Sequence, residues 1–145
     1  MKKEIDPKMH SAEHILNQTM VRMFQCNRCF SAHIEKKKSK CDYYFGRALT
    51  NEEISRIEKK VNEVIQADLK VQEEYLTKEE AEEHYDLERL PQDADERIRI
   101  IKIEDYDAYP CIGAHVKSTK EIGIFRIVST SFKGSVLRIR FKLDR

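Results

Sequence analysis

Two pairs of metal-capable side chains, about a hundred positions apart, constrain this chain more than any other feature. His10-Ser11-Ala12-Glu13-His14 sets two imidazoles at i and i+4, and Cys111-Ile112-Gly113-Ala114-His115 sets a thiol and a third imidazole at the same spacing. Helical residues four apart share a face, about 5–6 Å apart at Cβ, so the first pair can grip one ion. One cysteine and three histidines form a tetrahedral set that zinc accepts, with bonds of roughly 2.0–2.3 Å. Gly113 lets the backbone bend tightly between the second pair. Each residue alone has a plainer reading: a surface histidine pair, a small buried cysteine, a core histidine. Together they require a fold in which an N-terminal helix meets a turn near residue 111. The first pair is not the metalloprotease signature, which needs Glu directly after the first His, whereas Glu13 precedes the second.

Hydrophobic spacing supplies the elements. Met9, Ala12, Leu16, Met20 and Met23 recur every three or four residues, predicting a helix from about Met9 to Gln25. Phe30–Ile34 and Asp42–Ala48 read as extended, with Lys36-Lys37-Lys38-Ser39-Lys40 as a hairpin tip between them. Thr50-Asn51-Glu52-Glu53 is a capping box opening a helix to about Leu69, and Thr77-Lys78-Glu79-Glu80 opens a short one to about His84. Val71, Glu73 and Tyr75 alternate with polar neighbours as in a strand. Further strands are expected at Arg97–Ile103, Ile124–Thr130 and Val136–Leu143. Helices and strands mix without a β-α-β rhythm, which predicts an α+β fold with a largely antiparallel sheet. The 145 residues suit one domain, 1–145.

Charge is uneven. Residues 1–50 carry ten Lys/Arg against five Asp/Glu, residues 51–110 nine against nineteen, and residues 111–145 eight against two. Two basic ends around an acidic middle suit an anionic partner if the ends meet in space, and equally suit plain solvated surfaces. No apolar run approaches the roughly 18 residues of a membrane span, and the N-terminus lacks the apolar core of a secretory signal, so a cytoplasmic protein is expected. Cys26, Cys29, Cys41 and Cys111 are then thiols or metal ligands rather than disulfides. Cys26 and Cys29 form a CxxC at the end of the first helix and read as two incidental thiols. Glu13, one position from His14, is turned about 100° around the helix and reads as solvated. His33 and His84 read as structural or exposed.

His10–His14, Thr50–Ile65, Cys111–Val116 and Thr119–Ile127 occur in the order and spacing of one family. Over roughly His10 to Leu143, the chain resembles the editing domain of alanyl-tRNA synthetase, its relative in threonyl-tRNA synthetase, and the freestanding trans-editing AlaX proteins, in their short form. The resemblance implies a zinc held by His10, His14, Cys111 and His115 and hydrolysis of the ester of a mischarged tRNA. Alanine tRNA carrying serine or glycine is the expected substrate. It also implies a substrate-hydroxyl contact at Ser31, and tRNA phosphates held by Lys36, Lys37, Lys38, Lys40, Lys133, Arg138, Arg140 and Lys142. Alternation puts the last three cations on one strand face. The chain departs from the family's Cys-Gly-Gly-Thr-His turn at Ile112 and Ala114, and has Phe30 near where a synthetase Gln assists. The alternatives are a Ser-tRNA(Thr) deacylase, a hydrolase of small esters or amides, and a zinc-structured RNA-binding module without catalysis.

Overall fold

Asp6 and Pro7 start the first helix. The Asp6 carboxylate accepts from the backbone N–H of Met9 at 3.0 Å, and Pro7 occupies the first turn, where its missing N–H is not needed. α1 spans Pro7–Phe24 and ends at Gln25, whose left-handed backbone (φ 57°) lets its N–H close on the Val21 carbonyl. The structure, a computed structural model, describes residues 5–85, 87 and 97–144, so both ends of the 1–145 domain lie outside the described residues.

Each expected capping box is formed. Thr50 and Glu53 exchange hydrogen bonds at the start of α2 (Asn51–Gln66), and Thr77 and Glu80 do so at α3 (Lys78–His84). α2 stops before Leu69 because Asp68 turns left-handed (φ 54°). The strands are β1 (Ser31–His33), β2 (Ser39–Tyr44), β3 (Val71–Thr77), β4 (Arg97–Ile103), β5 (Asp107–Pro110), β6 (Ile124–Lys133) and β7 (Val136–Asp144). The lysine-rich tip is shorter than its sequence suggests, and Lys40 belongs to β2. The Ser39 hydroxyl bonds both the N–H and the carbonyl of Glu35 (2.9 and 3.0 Å), closing the turn early.

Among the described residues every strand pairing is antiparallel, but the strands form two sheets rather than one: β1-β2-β7-β6 and β3-β4-β5. β5 is the strand that hydrophobic spacing does not announce, being four residues long and ending in Pro110. The main core joins Ala12, Leu16 and Met20 of α1 and Ile57, Val61 and Ile65 of α2 to Tyr43, Phe125, Ile139 and Phe141 of the larger sheet. Ala81, Ile98 and Ile100 make a smaller cluster under α3. β4 and β5 thus lead the chain back to the N-terminal half of α1. Among the described residues, no helix is long and apolar enough to cross a membrane.

Candidate metal centre

His10 and His14 lie on the buried face of α1, at 7% and 2% exposure. Opposite them, the chain leaves β5 and turns through Cys111 to His115. Arg99 of β4 holds that turn, donating to the carbonyls of Cys111 (3.2 Å) and Gly113 (2.7 Å), while its own carbonyl accepts from the Cys111 N–H. The structure therefore brings all four sequence-predicted ligands together: one donor atom from each lies within 4.8 Å of the others. Cys111 Sγ is 3.0 Å from His115 Nε2 and 3.7 Å from His10 Nε2. The His10 and His115 rings stack at 4.1 Å, and His14 stands edge-on to both.

Two of the three outward nitrogens have distinct anchors. Nδ1 of His10 lies 3.3 Å from the Ala114 carbonyl, which fixes that nitrogen as the protonated one and leaves Nε2 free. Nδ1 of His115 bonds the Ser11 hydroxyl at 2.9 Å, and the same oxygen accepts from the Val116 N–H at 3.1 Å. Nδ1 of His14 is buried with no partner in hydrogen-bond reach; Oδ2 of Asp107 is 3.6 Å away. Gly113 is needed for a reason other than its backbone freedom. A Cβ there would collide with the His10 ring.

The charges within the cluster depend on one another. Burial opposes ionisation of Cys111, but the neighbouring His10, His115 and His14 rings outweigh it and hold the thiol at about 3. Burial also opposes protonation of His14, yet Asp107, Cys111 and Glu13 raise it to about 9. His115 falls to about 4, chiefly through burial and the neighbouring histidine charge. Three imidazoles and a cysteine sulfur whose donor atoms converge, two of the rings anchored from behind, could hold a metal ion.

A cavity of about 270 Å³ opens beside the cluster, with His10, Glu13, Arg28, Ala32, Ile34 and Ile112 among its lining. Glu13 is not solvated: its side chain is 12% exposed, Oε2 accepts from Asn17 Nδ2 (2.9 Å), and Oε1 lies 3.6 Å from His10 Nε2. Rotation around the helix separates it from His14 but places it beside His10. Ser31 is not brought to the cavity. It pairs with Asp42 and is exposed, while alternation along the chain sends Ala32 and Ile34 inward. Cys26 and Cys29 lie in different surroundings. Cys26 points to the Met20 carbonyl, whereas Cys29 is buried with Glu13 and Cys41. His33 is exposed beside Glu35, and His84 packs edge-on to Tyr85.

Four of the eight predicted cations share one sheet face. Lys40 and Arg140 are cross-strand partners, Arg138 lies beside them, and Lys142 faces Arg126 of β6. Arg138 is held by both oxygens of Asp42 (2.7 and 2.9 Å), and Lys142 lies 4.0 Å from Asp144. Lys133 is exposed at the end of β6, and Lys36, Lys37 and Lys38 are exposed just beyond Ile34 of the cavity wall. Sequence reasoning missed Ser11, Arg99 and Asp107. Ser11 stands inside the first motif, but nothing in the sequence tells which side chains a buried serine will meet.

Residues 98–140 match the family described as the threonyl and alanyl tRNA synthetase second additional domain. The chain is 34% identical over 130 residues to an alanine–tRNA ligase of Thermoanaerobacter sp. (strain X514), covering 89% of this chain and 15% of the relative. It is 33% identical over 139 residues to the alanine–tRNA ligase of Aeropyrum pernix (91% and 15%) and 33% over 124 residues to that of Coxiella burnetii strain Dugway 5J108-111 (84% and 14%). It thus spans about 15% of the length of the relatives it matches.

Proposed function

The chain belongs to the threonyl and alanyl tRNA synthetase second additional domain family, and from that premise we propose that it is a zinc-binding aminoacyl-tRNA deacylase. It hydrolyses the ester of mischarged tRNA in trans, with Ser-tRNA(Ala) and Gly-tRNA(Ala) as substrates, in the cytoplasm and as one editing domain. The observation that carries this is the convergence of His10, His14, Cys111 and His115, the first three of them lining a cavity large enough for an aminoacyl group. Alanine–tRNA ligases among the relatives support alanine tRNA as the carrier.

The residues divide the work. Zinc in the four-ligand site would place positive charge beside the ester carbonyl and favour the developing oxyanion. Glu13, fixed at Oε2 by Asn17, offers Oε1 to the cavity as acceptor for the proton of the attacking water. Ala32 and Ile34 give the cavity an apolar wall that excludes bulk solvent around the acyl group. Lys36, Lys37 and Lys38 lie next in sequence beyond that wall and, with Lys40, Lys133, Arg138, Arg140 and Lys142, hold tRNA phosphates without reading bases.

A deacylation panel tests the reading: alanine tRNA charged with serine, glycine or alanine, and threonine tRNA charged with serine. Serine is expected to leave alanine tRNA much faster than alanine does. Turnover of none of the four would remove the enzymatic reading. Faster release from threonine tRNA would reassign the carrier.

A further inference from the structure

Asp107 is the most completely buried acid near the metal centre, its side chain at 0% exposure, and no sequence motif points to it. A carboxylate taken out of water is costly unless donors replace the lost hydration. Three protein donors do so. Arg28 Nη1 and Gln18 Nε2 both donate to Oδ1, at 2.7 and 2.9 Å, and Arg28 Nη2 donates to Oδ2 at 3.3 Å. The guanidinium carbon lies over the Tyr109 ring, 3.9 Å from its centroid, a contact that helps hold the fork against the carboxylate.

The distribution of those bonds is uneven. Oδ1 takes both short ones, while Oδ2 has only the long one and keeps room for a second donor. The buried Nδ1 of His14, which lacks any partner in reach, lies 3.6 Å from that oxygen. A buried donor and a buried acceptor, both incompletely satisfied, face each other across a gap that a small ring rotation closes. His10 and His115 already have their anchors in the Ala114 carbonyl and the Ser11 hydroxyl, so His14 is the ligand whose orientation depends on an ion pair from elsewhere in the fold.

We propose that Asp107, clamped by Arg28 and Gln18, is a positioning residue that fixes the Nδ1–H tautomer and ring direction of His14 and so sets the affinity of the four-residue site for its metal. The pair joins the segment after α1 to β5, so two chain segments without a metal ligand of their own bear on the metal. The inference rests on the ligand assignment above but not on deacylation, and zinc binding reads it directly.

The test measures zinc affinity of the full chain by competition with a chromophoric chelator, together with the visible spectrum of the cobalt-substituted protein. Asp107→Asn is expected to weaken zinc binding about 10- to 100-fold and to shift the cobalt bands. Arg28→Lys keeps the charge but loses the fork, and is expected to weaken binding in the same direction by a smaller factor, with a cobalt shift of its own. Asp42→Asn is the control, because it removes an equally bidentate Arg–Asp pair on the outer sheet face. Zinc affinity within twofold of wild type in Asp107→Asn overturns the proposal. If that variant does not fold, unchanged affinity and an unshifted cobalt spectrum in Arg28→Lys overturn it instead. A wild-type chain that takes up no zinc overturns the ligand assignment and this inference with it.

Discussion

α1 and α2 share one core yet bury opposite kinds of side chain. α2 buries Ile57, Val61, Val64 and Ile65 and turns its charges to solvent, as in the Arg56–Glu52 pair. α1 buries His10, Ser11, His14, Asn17 and Thr19 among its apolar residues. Most of these have a definite partner: Ser11 meets His115 and Val116, Asn17 meets Glu13, Tyr43 and Cys29, and Thr19 meets Ile15 and Tyr106. Burying such groups is unfavourable unless they are paired, so a helix carrying so many of them is committed to one set of neighbours. The difference teaches where function sits. The helix that solvent exclusion alone would design is α2, and the helix that departs from that design carries the site.

The strongest way to break this contrast is at the ligands. Cys111→Ala is expected to lower zinc from one per chain to none, by elemental analysis, and to abolish deacylation while leaving α2 folded by circular dichroism. Retention of both metal and turnover would detach the polar face of α1 from any chemistry. Ile65→Ala in α2 should do the reverse. Deleting a fully buried isoleucine side chain costs about 2–5 kcal/mol in denaturant unfolding, while zinc per folded molecule stays unchanged. A metal-deficient but otherwise stable Ile65→Ala protein would show that the two helices are not separable in this way. Ser11→Ala lies between them. It strips His115 of its anchor and the Val116 N–H of its acceptor, for an expected loss of about 1–3 kcal/mol, together with weaker zinc binding.

The same contrast explains what the sequence made legible. Capping boxes and a clean apolar stripe are local signals, so α2 and α3 could be placed within a few residues. The convergence of His10, His14, Cys111 and His115 was legible because their side-chain chemistry is scarce and their spacing repeats. β5 and the burial of Asp107 were not, since a four-residue strand has too few alternations to register and Asp107 owes its burial to Arg28, seventy-nine positions away. Ser31 is exposed while its neighbour Ala32 lines the cavity: a one-residue step along a strand exchanges one face for the other, and nothing in the sequence reveals which parity faces inward. Glu13 shows the helical version, where a turn away from one histidine is a turn toward another.

The smallest effect belongs at the cap of α2, where structure is entirely local. The Thr50 hydroxyl accepts from the Glu53 N–H at 3.1 Å, and Thr50→Ala should cost about 1 kcal/mol without touching zinc. Glu53 adds a pH signature. Hydrogen bonds from Arg47 and from the Thr50 backbone hold its carboxyl at about 2, below its ordinary 4.5. A carboxyl depressed in the folded state stabilises that state fully above pH 4.5, and the contribution fades as pH falls towards 2. The stability difference between wild type and Glu53→Gln should therefore be constant above about pH 4.5 and shrink below it. Because Arg47 is exposed, added salt should shrink it further. A difference that stays flat from pH 5 to pH 2 would mean that the Glu53 carboxylate contributes no ionic stabilisation, leaving α2 to its apolar face alone.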